Sequence, residues 1–149
     1  MIWDRYLENS LKRSTREGRG SGVRKRVCDN ASIPVNWKSF LRSDEDKKEL
    51  CHYLAESVTA IQLPGVEVIT TSGVDVLSSS PVETQGLAPC NHEEADTRIF
   101  IHVKHASDKG LKKILIRTVD TDVVILAIAY AKQLNLQELW IAFGLEVKS

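Results

Sequence analysis

The sequence predicts an α/β protein with a parallel sheet and flanking helices. Two observations carry that expectation. Between Asn91 and Phe143 the apolar pattern switches repeatedly between helical and strand-like character. A helical stripe at Ala95, Ile99, Val103 and Ala106 precedes the short run Ile114-Leu115-Ile116. A strongly apolar helical stretch, Thr121–Leu134, then precedes the strand-like run Glu138–Phe143. Helix, strand, helix, strand at these lengths implies strands joined by crossover helices, hence parallel pairing. The second observation is size: 149 residues, 42% hydrophobic and 27% charged, suit one domain with one core.

The elements follow in chain order. Met1-Ile2-Trp3 is apolar and then meets Asp4, like the end of a strand whose beginning is absent. Ser10–Arg16 reads as a short basic helix, which Gly18, Gly20 and Gly22 break into a loop. After Pro34, Trp37, Phe40 and Leu41 have helical spacing. Ser43 with Asp44–Asp46 reads as a helix start whose acids suit the dipole. A helix over about Asp44–Ala60 places Leu50, Leu54, Val58 and Ile61 on one stripe, and Pro64-Gly65 closes it. Val66–Thr71 and Val74–Leu77 around Ser72-Gly73 predict a β-hairpin. Ser78–Pro89 has loop composition. Asn91 or His92 opens the next helix and Gly110 ends it. Lys113–Thr118 is a strand with a buried centre, and Glu138–Phe143 a second buried strand. Trp37, Phe40 and Trp140 have the periodicity of core residues.

Composition narrows the function classes. The longest apolar stretch, Val123–Ala131, falls well short of the ~20 residues a membrane span needs, and the first residues lack signal-peptide organisation. Cys28, Cys51 and Cys90 are odd in number and widely spaced, which fits free thiols in an intracellular compartment, the nucleus included. The zero net charge hides an asymmetry. Residues 1–27 carry eight basic residues against three acidic, a net of +5, and the remainder carries −5. A basic arm ahead of an acidic body suits a protein that grips phosphates beside a cation pocket, although a solvated tail has the same composition.

The acids supply the chemistry. A helix that leads into a strand and packs on its sheet runs antiparallel to it, so the start of helix 92–108 lies beside the carboxyl end of strand 113–118. That edge collects Glu93, Glu94 and Asp96 from the helix and Asp120 and Asp122 from the strand exit, and ligand sites of open α/β sheets form there. Carboxylates brought together need a cation, and oxygen ligands without His or Cys suit Mg²⁺ or Mn²⁺. Two such ions about 4 Å apart activate a water and stabilise the leaving oxygen in phosphodiester cleavage. Asn91 with Glu94 is also a capping pair, and Asp120 or Thr121 also a cap. Capping, however, requires neither Asp122 beside Asp120 nor Asp96 beside Glu94.

Three other constellations fail. Cys90, His92, His102 and His105 lack zinc spacing, and the latter two read as surface histidines near a helix end. Gly18-x-Gly20-x-Gly22 lacks the strand and helix of a phosphate loop. No Ser/His/Asp or Cys/His triad can be argued, since nothing places Cys51 or Cys90 beside a histidine.

The strings His92-Glu93-Glu94-Ala95-Asp96-Thr97-Arg98 and Thr118-Val119-Asp120-Thr121-Asp122 resemble the E-A-E-A helix start and T-E-D-x-D strand end of PIN-like, flap-endonuclease-type 5′-nucleases. Trp3-Asp4, Ser10-Leu11-Lys12 and Thr15-Arg16 resemble that family's strand-borne aspartate and phosphate-gripping helix. The chain also resembles a group of uncharacterised animal proteins associated with mobile elements, which share the H-E-E-A-D-T-R and D-T-D strings. The resemblance covers residues 1–27 and 91–144. It implies a Rossmann-like (PIN-like) domain, a Mg²⁺ or Mn²⁺ site at Glu94, Asp96, Asp120, Asp122 and Asp4, and nucleic acid as partner. Lys12, Arg13 and Arg16, with Arg19, Arg24 and Lys25 of the same basic arm, would contact its phosphates. No side chain need be the nucleophile. The family has an earlier central-strand aspartate and continues past the last strand, so the expectation is an incomplete sheet. Residues 1–27 form the arm, 28–90 a helical linker region with a short hairpin, and 91–149 the α/β unit with the acidic site. The alternative is a non-catalytic nucleic-acid-binding or protein-interaction module derived from a mobile element.

Overall fold

The computed structural model describes residues 1–7, 9–10 and 22–144. The expected basic helix at Ser10–Arg16 and most of the glycine loop lie outside them. The elements are α1 (Trp37–Phe40), α2 (Asp44–Ala60), β1 (Ile69–Ser72), β2 (Asp75–Ser78), α3 (Ala95–Asp108), β3 (Lys113–Thr118), α4 (Thr121–Tyr130), a 3₁₀ turn at Ala131–Gln133 and β4 (Glu138–Phe143). The described residues are mixed α/β, with two separate two-stranded sheets.

β1 and β2 form the antiparallel hairpin, with Ser72 opposite Asp75 across Gly73-Val74. Gly73 has φ 59°, a conformation glycine adopts without strain. The free edge of β1 carries the N-terminal segment. The Met1 amine donates to the Ile69 carbonyl (2.7 Å) and the Thr71 amide to the Met1 carbonyl (3.1 Å), as in a parallel ladder. At Trp3 the pattern shifts to side chains: its amide donates to Thr71 Oγ1 (2.8 Å) and its indole to Thr70 Oγ1 (3.1 Å). Both threonines are buried, and these bonds satisfy their hydroxyls.

α2 spans the predicted residues because Ser43 caps it, accepting from the Asp46 amide at 3.1 Å. Its buried residues are Asp46 and Ala55, and Ile61 of the expected stripe is exposed. Asp46 is fully buried because residues 24–27 cross it. Arg24 reaches it at 2.5 Å, and the Lys25 amide donates to both of its oxygens. Gly22 lies so close to α1 and the α2 cap that a Cβ there would sit 2.6 Å from Ser39 O and Ser43 N.

β3, α4 and β4 form the predicted parallel crossover unit, with Leu115 opposite Trp140. Phe100, Val103, Ile116, Val123 and Ala127 make its core. Burial differs from the expectation in a physically informative way. Among the described residues helices cover one face of the pair, so the run Ile114-Leu115-Ile116 alternates: Ile116 is buried while Leu115 is 64% exposed. Trp140 is 62% exposed for the same reason, and Phe143 and Trp37 are exposed too, so of the expected aromatic core residues only Phe40 is buried.

Candidate functional site

α3 begins at Ala95, not at Asn91 or His92, so Glu94 is its N-cap residue and Glu93 precedes it. The Glu94 side chain makes no capping bond. The cap comes from 91 positions away, where Asp4 Oδ1 accepts the Ala95 amide at 2.7 Å. Asp4 is held there by backbone: the Arg5 amide donates to the Glu93 carbonyl at 2.7 Å, and the Arg5 guanidinium to the Cys90 carbonyl at 3.3 Å.

The direction of α3 follows from its other end. Ser107 Oγ donates to the Asn135 carbonyl, just before β4, and the Gln137 amide to the Lys112 carbonyl, just before β3. The last turn of α3 thus sits at the amino edge of the sheet. Fourteen helical residues and six strand residues both span about 20 Å, so the first turn of α3 lies level with Thr118. There Asp120 caps α4, accepting the Asp122 amide at 2.9 Å, while its own amide donates to Thr118 Oγ1 at 3.0 Å. Asp4, Glu94 and Asp96 thus meet at the start of α3, and Asp120 and Asp122 stand at the start of α4. Asp96 Oδ1 accepts the Thr97 amide at 2.9 Å. Among the described residues, no three His, Cys, Asp or Glu side chains come together as a metal-holding group.

Of the expected phosphate contacts, Lys12, Arg13, Arg16 and Arg19 lie outside the described residues. Arg24 is engaged internally, with Asp46 at 2.5 Å and Glu49 at 2.9 Å. Those bonds hold the Glu49 carboxyl below its ordinary range. Lys25 Nζ reaches Ser32 Oγ at 3.1 Å.

Two residues carry structural roles the sequence does not announce. Arg98, on α3, is 1% exposed, and its guanidinium donates to the carbonyls of Gly73 (2.6 Å), Val74 (3.3 Å) and Asp75 (2.9 Å). It clamps the hairpin turn to the helix that starts the acidic edge. One helical turn on, His102 is not the surface histidine expected: burial, aided by nearby Arg98, pushes its imidazole down to about 4. Among the described residues its buried Nε2 has no hydrogen-bond partner.

No protein-family model matches the chain, and no curated protein or solved structure shows significant similarity to it. No helix among the described residues is long and apolar enough to cross a membrane.

Proposed function

We propose that the chain is a PIN-like, divalent-cation-dependent nuclease-like domain, its Rossmann-like sheet represented by the β3–α4–β4 unit. The observation that supports this reading is the Asp4–Ala95 bond, which brings Asp4 to the helix start that carries Glu94 and Asp96. The donor set, carboxylate oxygens alone, suits Mg²⁺ or Mn²⁺. A cation bound there would supply electrostatic stabilisation of phosphoryl oxygens during phosphodiester cleavage. The protein's part is to hold the carboxylates on rigid helix starts and, through Lys12, Arg13 and Arg16, to grip the phosphate backbone.

The test is a Mn²⁺ titration followed by melting temperature and by cleavage of a 5′-labelled oligonucleotide. At 100 times its Kd a bound cation stabilises the fold by about 2.7 kcal/mol. If Mn²⁺ neither binds nor raises the melting temperature, and Asp120→Asn changes nothing, the reading fails.

The apolar face around Leu115 and Trp140, exposed among the described residues, favours a second reading, a non-catalytic interaction module. Loss of self-association or partner capture in Trp140→Ser, with cation response unaltered, would select it.

A further inference from the structure

A second cluster lies away from β3, where α2 packs against the hairpin. His52 and Glu56 are four residues apart on α2 and so share a face. Ser72 ends β1 and abuts the Gly73-Val74 turn. The structure sets His52 Nδ1 2.9 Å from Ser72 Oγ, and His52 Nε2 3.4 Å from Glu56 Oε1. A neutral imidazole with its proton on Nε2, facing the carboxylate, presents a lone pair at Nδ1 to the serine hydroxyl. Nucleophile, base and orienting carboxylate are thus in sequence, with the two ring nitrogens exchanging their more familiar roles.

Two further features suit reaction. The turn that carries Ser72 is fixed by buried Arg98 through the carbonyls of Gly73, Val74 and Asp75. Ser72 and His52 both line a cleft of about 410 Å³ whose walls include Trp3, Tyr6 and Leu7. That volume, with Trp3, Tyr6 and Leu7 beside the charged Asp4 and Arg5, admits a small acyl group. Lys48 borders the same cleft.

We propose that Ser72, His52 and Glu56 form an esterase site for small, uncharged acyl esters. Ser72 Oγ adds to the ester carbonyl carbon as its proton passes to His52 Nδ1. The C–O bond to the alcohol breaks and the alcohol departs with that proton. Water then adds to the acyl-serine, giving a proton to Nδ1. The carboxylic acid leaves and the proton returns to Ser72 Oγ. Ser72 and His52 are catalytic residues, and Glu56 is a positioning residue.

The experiment uses the full chain in EDTA, so that cation-dependent chemistry is silent and the result is independent of the nuclease reading. A fluorophosphonate probe and 4-nitrophenyl acetate report nucleophile and turnover. Expected are a single label at Ser72 by peptide mass spectrometry and its loss, with turnover, in Ser72→Ala. His52→Ala should slow labelling by about 100-fold or more. Glu56→Gln should lower kcat at unchanged KM, and Glu56→Asp should recover part of it. These side chains lie at the surface or partly exposed, and circular dichroism of each variant verifies the fold. Labelling of Ser72 no faster than in urea-unfolded chain, or turnover unchanged in Ser72→Ala or His52→Ala, overturns the proposal.

Discussion

Removing the guanidinium of Arg98 while keeping its volume should be among the costliest changes that leave the apolar core intact. Arg98→Met deletes three donated hydrogen bonds, at 2.6, 2.9 and 3.3 Å, from a side chain that is 1% exposed. A hydrogen bond from a charged group contributes about 1.5–3 kcal/mol, which sets a gross loss of roughly 5–9 kcal/mol. Two terms reduce it. Gly73, Val74 and Asp75 are exposed, so water can reach their carbonyls once the arginine is gone. Burial of the cation is itself unfavourable, as the downward push on the Arg98 pKa shows. A net cost of about 2–3 kcal/mol remains, and Arg98→Ala, which also empties the space of the stem, should cost about 3–5 kcal/mol. For a chain of this size that is a melting-point drop of roughly 5–10 °C in Arg98→Met. Urea denaturation followed by circular dichroism measures it, and amide exchange at Gly73–Asp75 locates it. An Arg98→Met variant within about 0.5 kcal/mol of wild type would refute the clamp.

Other changes have separate readouts. His102 is held down to about 4 in the fold against 6.5 unfolded, so the unfolded chain takes up a proton that the folded chain refuses. Its contribution is fully present above pH 6.5 and is lost as pH falls toward 4; at most about 3 kcal/mol is involved, less for residual solvent contact, and His102→Leu should flatten that part of the stability–pH curve. Asp46→Ala leaves Arg24 its Glu49 partner but removes the acceptor of the Lys25 amide, and should cost about 1–3 kcal/mol by urea denaturation, against less than 1 kcal/mol for the exposed pair Lys104–Asp108. Trp140→Ser, at a position 62% exposed, should leave stability within about 0.5 kcal/mol while the red-shifted emission of a solvated indole is lost from the fluorescence spectrum.

How much of this was legible depends on where each instruction lies in the chain. α2 reads correctly end to end because its cap, Ser43, and its breaker, Pro64-Gly65, are local. The hairpin is legible because Gly73 announces a turn, although that turn falls at Gly73-Val74, one residue on from the expected Ser72-Gly73. The start of α3 does not, since its cap is Asp4, on a segment that no local rule connects to Ala95. Arg98 was unreadable for the complementary reason. A charged residue inside an amphipathic helix is assigned to solvent by periodicity, and only the arrival of three turn carbonyls makes its burial tolerable. Leu115 and Trp140 mislead because a continuous apolar run in a parallel strand normally implies cover on both faces, and here α3 and α4 supply cover on one. The His52–Ser72 contact joins a helix to a strand end twenty residues on and leaves no spacing signature.

Whether the edge acids are caps or cation ligands is a question of magnitudes, and the two roles are not exclusive. Asp4, Asp96 and Asp120 each give one oxygen, Oδ1, to a backbone amide, at 2.7, 2.9 and 2.9 Å. A cap contributes about 1 kcal/mol, whereas a cation at a hundred times its Kd stabilises the fold by about 2.7 kcal/mol. Capping geometry therefore cannot withhold these carboxylates from a cation that several of them bind. Asp4→Asn separates the roles, because an asparagine amide oxygen caps a helix about as well as a carboxylate but lacks the charge. The variant should match wild-type stability within about 0.5 kcal/mol without cation and lose at least tenfold in Mn²⁺ affinity by calorimetry. Equal Mn²⁺ affinity in both proteins would remove Asp4 from the site. A stability loss near 1 kcal/mol or more without cation would mean that the charge of Asp4 on the α3 dipole matters more than the hydrogen bond it accepts.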